Sequence, residues 1–436
     1  MRYYGNDGRT YQLGSELKSG GEGIVYEVDG AESIVAKIYK DRKLSRDEKV
    51  AALSNLPWPE SVREYLVLPR VALYEEPERK VLRGFIMDRV TADNTLADVY
   101  SETHPLSIYK KACVAKSLCE AVIAVHSVGN LVIGDFNSKN ILVDRTSGDI
   151  KLIDTDSIHL TVKRNGRDVV LPCEALDPML FMPEILRKFK SQNVRKLIEI
   201  NDGTFDIYTD YYCLAYHIHL LLMAQKPFGA AMDKNDIDNS VPAPTAKSMA
   251  CEGQYAYVNL PARTSLPKFY PDFNIITPEL QQLFIRSFKD GASDPRMRAS
   301  ALEFRDALNN YIAGLRHVRC KGFDHYLYYK YKCRECEWCR VEAAKNQKRK
   351  FEADDLFWMS DEELLYFSKS VPDKKVYAFL ELGARYSDIS KPGISHELNK
   401  FKAKSYLKKC LRESKSVEDP YVEPLANKIL NALKER

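Results

Sequence analysis

The segment Ile133-Gly-Asp-Phe-Asn-Ser-Lys-Asn-Ile-Leu-Val143, followed by Leu152-Ile-Asp154, constrains this chain more than any other. Asp135 stands five residues before Asn140, and a second carboxylate, Asp154, ends a short apolar run. Ile141 to Val143 reads as a β-strand, Asp144 to Asp149 as a turn and Ile150 to Ile153 as the returning strand. Such a hairpin brings Asn140 and Asp154 to the same end of two paired strands, where they can share a cation. A surface hairpin rich in Asp and Asn is the plainer alternative.

Phosphoryl transfer from ATP needs these parts: one acidic group to orient the attacking hydroxyl, and an Asn and an Asp to hold the metal ions that bridge the phosphates. Two features upstream fit the same chemistry. In Leu17-Lys-Ser-Gly-Gly-Glu-Gly-Ile-Val-Tyr-Glu-Val28, Gly20, Gly21 and Gly23 precede a β-prone run. Glycines let a backbone turn tightly and approach phosphate oxygens without a Cβ in the way, although a plain hairpin turn also uses them. Then Ile34-Val-Ala-Lys-Ile-Tyr39 is apolar on both sides of one lysine. A charge inside a buried strand is costly unless paired, so Lys37 is expected to have a partner. On an edge strand it would instead point to solvent.

Glycine loop, Val-Ala-Lys, Gly-Asp with its spaced Asn, and Ile-Asp, in that order, resemble the protein kinase fold from about Leu13 to about Leu315. Met182-Pro183-Glu184 resembles the element that closes the activation segment. Asp210 resembles the helix Asp that braces the catalytic loop, and Arg298 the Arg that pairs with Glu184. The wording is most similar to that of bacterial eukaryotic-like protein kinases of the YegI type. The resemblance implies an α+β, bilobal kinase-like fold, with a small lobe at 1–90 and a large lobe at 91–316. It also implies roles. Gly20, Gly21, Gly23 and Val25 would cover ATP, and Lys37 would contact the α- and β-phosphates. Asp135 would be the base, and Asn140 and Asp154 would ligate Mg²⁺. Backbone around Asp88 to Val90 would meet the adenine. For the partner of Lys37, Glu48 is the candidate, on a helix expected to start at Ser45. Ser45 to Glu48 equally reads as a capping box, with Glu48 folded back on the Ser45 amide.

Three departures stand out. Gly134 occupies the place of the Arg that usually answers an activation-loop phosphate, which disfavours that switch. Asp154 is followed by Thr155-Asp156, with an extra carboxylate beside the metal site. Asn137 replaces the Lys usual in Ser/Thr protein kinases, a lack shared by small-molecule kinases of this fold. The reading is an ATP- and Mg-dependent serine/threonine protein kinase with protein substrates. A pseudokinase or nucleotide-binding adaptor, and a small-molecule kinase, are the alternatives.

Composition suits a cytoplasmic globular enzyme: 436 residues, 45% hydrophobic, net charge +4. The first residues lack an apolar signal core, and the run around His219 to Ala224 is too short to span a bilayer, so no membrane is expected. Ten cysteines occur, four of them between Cys320 and Cys339. The six scattered ones read as reduced, buried small hydrophobes. In the cluster, Zn²⁺ can be held by Cys320, Cys336 and Cys339 with either His325 or Cys333. The resemblance to YegI-type tails favours His325. A zinc-binding module is thus expected at 317–345.

That module is also basic and aromatic. Arg319, Lys321, Lys330, Lys332, Arg334, Arg340, Lys345, Lys348, Arg349 and Lys350 interleave with Tyr326, Tyr328, Tyr329, Tyr331 and Trp338. This suggests a nucleic-acid or protein contact through 319–350, or simply aromatics packed into a small module. Beyond it, a helical accessory domain is predicted at 350–436, with a capping box at Ser360 to Glu363 and helices over 376–386, 394–411 and 424–433.

Overall fold

The computed structural model describes residues 1–90, 94–101, 106–175, 177, 180, 182–192, 205–232, 244–318, 320, 325–333, 335–344, 361–370, 375–387, 396–416 and 422–435. The chain divides into two compact units, Met1–Glu102 with Lys110–Ala313, and Thr103–Tyr109 with Gly314–Arg436. Helix and strand are mixed, as an α+β chain requires.

The first unit begins with six antiparallel strands: β1 (Arg2–Gly5), β2 (Thr10–Ser19), β3 (Gly23–Val28), β4 (Ala31–Tyr39), β5 (Val71–Tyr74) and β6 (Leu82–Asp88). They close into a barrel in the order β1-β2-β3-β4-β6-β5. Leu13, Val28, Ala36, Ile38, Leu73 and Ile86 fill one core. The apolar run that surrounds Lys37 makes β4 a central strand, with Lys37 opposite Val25 on one side and Phe85 on the other. An edge position for this lysine is therefore excluded. Both neighbouring strands carry a glycine where they pass it. A Cβ on Gly23 would lie 2.7 Å from the Ile38 carbonyl oxygen, and one on Gly84 only 1.9 Å from that of Lys37.

Between β4 and β5 lies helix α1 (Leu44–Asn55), which buries Arg46, Lys49, Val50 and Leu53. These four recur at helical spacing and form its inward stripe. The helix starts one residue earlier than its sequence suggests, and no side chain caps it.

Later in this unit come β7 (Leu131–Val132), β8 (Ile141–Val143) and β9 (Ile150–Leu152). The hairpin read from the turn residues forms, with Ile141 opposite Leu152 and Val143 opposite Ile150. A second hairpin, β10 (His159–Arg164) with β11 (Arg167–Leu171), follows and pairs back onto β7. The helix Ile207–Met223 is capped by Asp206 and is buried over most of its length. Around it, His219, Tyr212, Tyr255, Phe284 and Phe288 pack edge to face.

In the second unit, strands Leu315–His317 and Tyr326–Tyr328 pair antiparallel and precede the helix Glu337–Ala344. Four further helices, Asp361–Ser370, Lys375–Ser387, His396–Glu413 and Val422–Glu435, fall on the three periodic runs predicted there as far as those runs are described. Leu364, Ala378 and Leu382 form one core, and Val376, Ala403, Leu407, Cys410, Val422, Ala426 and Leu433 another. Gly383 sits at the closest approach of two helices, because a Cβ there would lie 2.6 Å from Leu407. Ser360, and with it the predicted capping box, lies outside the described residues, as do seven of the ten basic residues named above: Arg319, Lys321, Arg334, Lys345, Lys348, Arg349 and Lys350. Among the described residues, no helix is long and apolar enough to cross a membrane.

Candidate active site and metal cluster

The β8–β9 hairpin is stitched at its open end by the Ile153 amide, which donates to the Asn140 carbonyl at 2.8 Å. Asn140 and Asp154 therefore emerge side by side, as their flanking strands dictate. Asp154 adopts a left-handed backbone conformation, φ 62° and ψ 33°. A non-glycine residue in this region costs of order 1–3 kcal/mol, and such strain clusters at functional sites. Asn140 Nδ2 lies 3.4 Å from Asp135 Oδ2.

Asp135 is held from behind. Asp210, fully buried in the helix Ile207–Met223, accepts the amides of Ile133 at 2.8 Å and Gly134 at 3.0 Å, and also meets His126 Nε2 at 2.8 Å. Gly134 has φ +71°, and a Cβ there would lie 2.9 Å from that of Cys173. The left-handed backbone and the nearness of Cys173 both disfavour an arginine here, in keeping with this departure from the kinase pattern. Asp135 Oδ1 is buried and, among the described residues, has no hydrogen-bond partner. Burial first, then the charges of Asp154, Asp177 and Glu22, raise its pKa from 3.8 to about 6. A buried carboxylate oxygen without a partner, beside an amide and a second carboxylate, suits a site that takes up a hydroxyl group and a cation.

Lys37 reaches this site from β4. Its ammonium contacts Asp154 and lies 2.8 Å from Asp156 Oδ1 and 3.1 Å from Oδ2. The hydroxyl of Tyr39 donates to Asp156 Oδ2 at 2.5 Å. Burial alone would lower the Lys37 pKa, but the charges of Asp156 and Asp154 raise it above the usual lysine value. Burial would likewise raise Asp156, and the Lys37 ammonium holds it below the usual carboxylate range instead.

Glu48 is not the partner of Lys37, nor does it cap α1. It pairs with Arg164 of β10. At about 100° per residue it lies on the far side of α1 from the stripe of Arg46, Lys49 and Leu53. Ser45 is already inside the helix, so its side chain cannot cap it. Asp156, at the position the sequence marks only as an additional carboxylate, takes the place expected of Glu48.

The glycine loop joins β2 to β3, closed by the Gly20 amide on the Gly23 carbonyl at 2.9 Å. Nothing lies within 4 Å of a Cβ placed on Gly21, so that segment presents open backbone. At the far end of β6, Asp88 is in register with Ile34 and its side chain pairs with Arg70, while the Arg89 amide donates to the Ser33 carbonyl at 2.9 Å. Val90 follows directly, outside any helix or strand. Arg298, fully buried, holds Glu184 through two bonds of 2.8 and 2.6 Å, the pairing expected from the sequence.

In the second unit, Cys320, His325, Cys336 and Cys339 converge, with donor atoms within 4.8 Å of one another. The three Sγ atoms lie 3.2, 3.4 and 3.6 Å from His325 Nδ1. Zn–S and Zn–N bonds at tetrahedral angles place S and N about 3.6 Å apart, so the group is compatible with zinc. Cys333 is exposed and outside the cluster, which favours the set with His325. Sequence reading missed Glu342, whose Oε1 lies 3.1 Å from His325 Nε2. A carboxylate on the free nitrogen of a metal-binding histidine orients the ring. Close by, buried Trp338 donates to the Tyr326 carbonyl at 2.9 Å, Arg340 pairs with Glu337, and Lys330 lies over the Tyr329 ring.

An open glycine loop, a buried lysine paired with carboxylates, and an Asp–Asn–Asp set on one hairpin end are the parts of a phosphotransferase site. The chain is 24% identical over 358 residues to Protein kinase YegI of Escherichia coli (strain K12), an alignment covering 78% of this chain and 50% of that protein. It is 29% identical over 163 residues to Protein kinase YegI of Escherichia coli O157:H7, covering 36% of this chain and 25% of the relative. The chain thus spans about half the length or less of the curated relatives it matches. No protein-family model matches it.

Proposed function

We propose that this chain is a cytoplasmic ATP- and Mg-dependent protein kinase that phosphorylates serine or threonine, with a structural zinc in its second unit. The observation that carries the reading is the convergence of Lys37, Asp135, Asn140 and Asp154 at one hairpin end, with a buried Asp135 oxygen that no described residue meets. The likeness to the two YegI protein kinases supports it.

In this reading Asp135 orients the hydroxyl of the acceptor and takes its hydrogen bond. Lys37 contacts the α- and β-phosphates under the loop of Gly20, Gly21 and Gly23, with Val25 below, and the Asp88–Val90 backbone borders the adenine. Asn140 and Asp154 hold Mg²⁺, which neutralises charge on the phosphates when bound. Cys320, His325, Cys336 and Cys339 hold the zinc, which supplies folding energy to a segment too small for its own core.

The test is incubation of the full chain with labelled ATP, Mg²⁺ and a generic basic protein. Transfer to serine or threonine is expected, and Asp154→Asn should abolish it while leaving the fold intact. Wild-type protein that binds ATP–Mg²⁺ and never transfers phosphate would refute the kinase reading.

A further inference from the structure

The carboxylates that meet Lys37 come from the turn after β9 and not from helix α1. In other kinases a glutamate of the corresponding helix pairs with this lysine, so the position of the helix decides whether the lysine is aimed at the phosphates. Here the inward stripe of α1 carries two cations. Arg46 stacks on the Tyr39 ring at 3.6 Å, and Lys49 donates to the Pro172 carbonyl at 2.5 Å and the Ser157 carbonyl at 3.4 Å. Glu48, on the opposite side, reaches Arg164. The helix is therefore tied to Tyr39 and to the segment from 157 to 172, and offers Lys37 no counter-charge.

Among the described residues, the carboxylates that meet Lys37 are Asp154 and Asp156. They differ in kind. The Asp154 side chain is 42% exposed and that of Asp156 only 3%. Asp154 faces the open site and is the residue that must turn to the metal. Once it does, a buried ammonium needs another anion. Asp156 meets that need with two oxygens on Lys37 and a hydrogen bond from Tyr39, which lies two residues beyond Lys37 and so on the same face of β4.

We propose that Asp156 is the positioning residue that aims Lys37 at the nucleotide, and that Tyr39 holds Asp156 in place. The inference rests on the nucleotide-binding part of the kinase reading. It means that one short turn, Asp154 to Asp156, supplies both the metal carboxylate and the lysine anchor. Catalytic competence is then tied to the order of that turn.

A mutant cycle on the full chain tests this, read by Mg–ATP affinity and by phosphate transfer. Asp156→Asn should weaken Mg–ATP binding or transfer by roughly ten- to a hundred-fold, the worth of a hydrogen bond between charged groups. Glu48→Ala should leave both unchanged. In a Lys37→Met background, which removes the buried cation, Asp156→Asn should cost nothing further. That double variant has no unpaired buried charge and should fold even if Asp156→Asn alone does not. Tyr39→Phe should give a smaller loss that vanishes in the Asp156→Asn background. The proposal is overturned if Asp156→Asn is neutral, if its cost persists without Lys37, or if Glu48→Ala matches the loss of Lys37→Met. If wild type binds Mg–ATP without transferring phosphate, the kinase reading fails while the binding cycle still decides the role of Asp156.

Discussion

Replacing Asp135 with asparagine should make the protein more stable at neutral pH while removing its turnover. The reason is the environment of the carboxyl group. One of its oxygens is buried with no partner among the described residues, and the pKa is raised from 3.8 to about 6 by burial and by three neighbouring acids. The folded state therefore prefers the neutral form. At about 1.4 kcal/mol per pKa unit, ionised Asp135 costs up to about 3 kcal/mol of folding stability above pH 6. The sign follows from the direction of the shift. The neutral carboxyl is tolerated below about pH 4, and stability is lost as pH rises towards 6. An amide in its place keeps the size and carries no charge, so the Asp135→Asn variant should escape that loss. Urea unfolding without Mg²⁺ or nucleotide measures it. The stability difference, variant minus wild type, should be near zero at pH 4 and about 2–3 kcal/mol at pH 7.5. A difference that does not change with pH would refute the argument that burial penalises this carboxylate.

Other substitutions probe separate parts. Glu342→Ala should weaken zinc binding roughly 10–100-fold in competition with a colorimetric chelator, Cys336→Ser should release the metal, and Cys333→Ser should do neither. Gly134→Ala should cost about 2 kcal/mol or more by thermal melting, since it combines a left-handed backbone with a 2.9 Å contact on Cys173. Arg298→Ala should cost about 3–5 kcal/mol by leaving Glu184 unpaired beside a buried cavity, whereas Arg298→Met with Glu184→Gln should recover much of it.

Much of the local structure was legible in the chain because its causes are local. Turn residues at 144–149 set the β8–β9 hairpin, and that hairpin alone puts Asn140 beside Asp154. The spacing of apolar residues made β4 a strand with a lysine among buried neighbours, and three of the C-terminal helices followed the same periodic logic. Cysteine spacing brought out the Cys/His cluster that is compatible with zinc, since a Cys-x2-Cys turn presents two thiols together.

What needed the tertiary structure is everything decided by which face meets which. Lys37 and its anions lie 117 and 119 residues apart, and no local rule selects between Glu48 and Asp156. The choice depends on the rotation of α1, set by burial of Val50 and Leu53, which turns Glu48 outward. The same holds for Glu342, placed by the helix that also carries Cys339, and for Gly134, whose lack of a side chain reflects the nearness of Cys173. Charge–charge partners are chosen by packing, because an ion pair has no sequence period of its own and buried charges take whichever counter-charge the fold delivers.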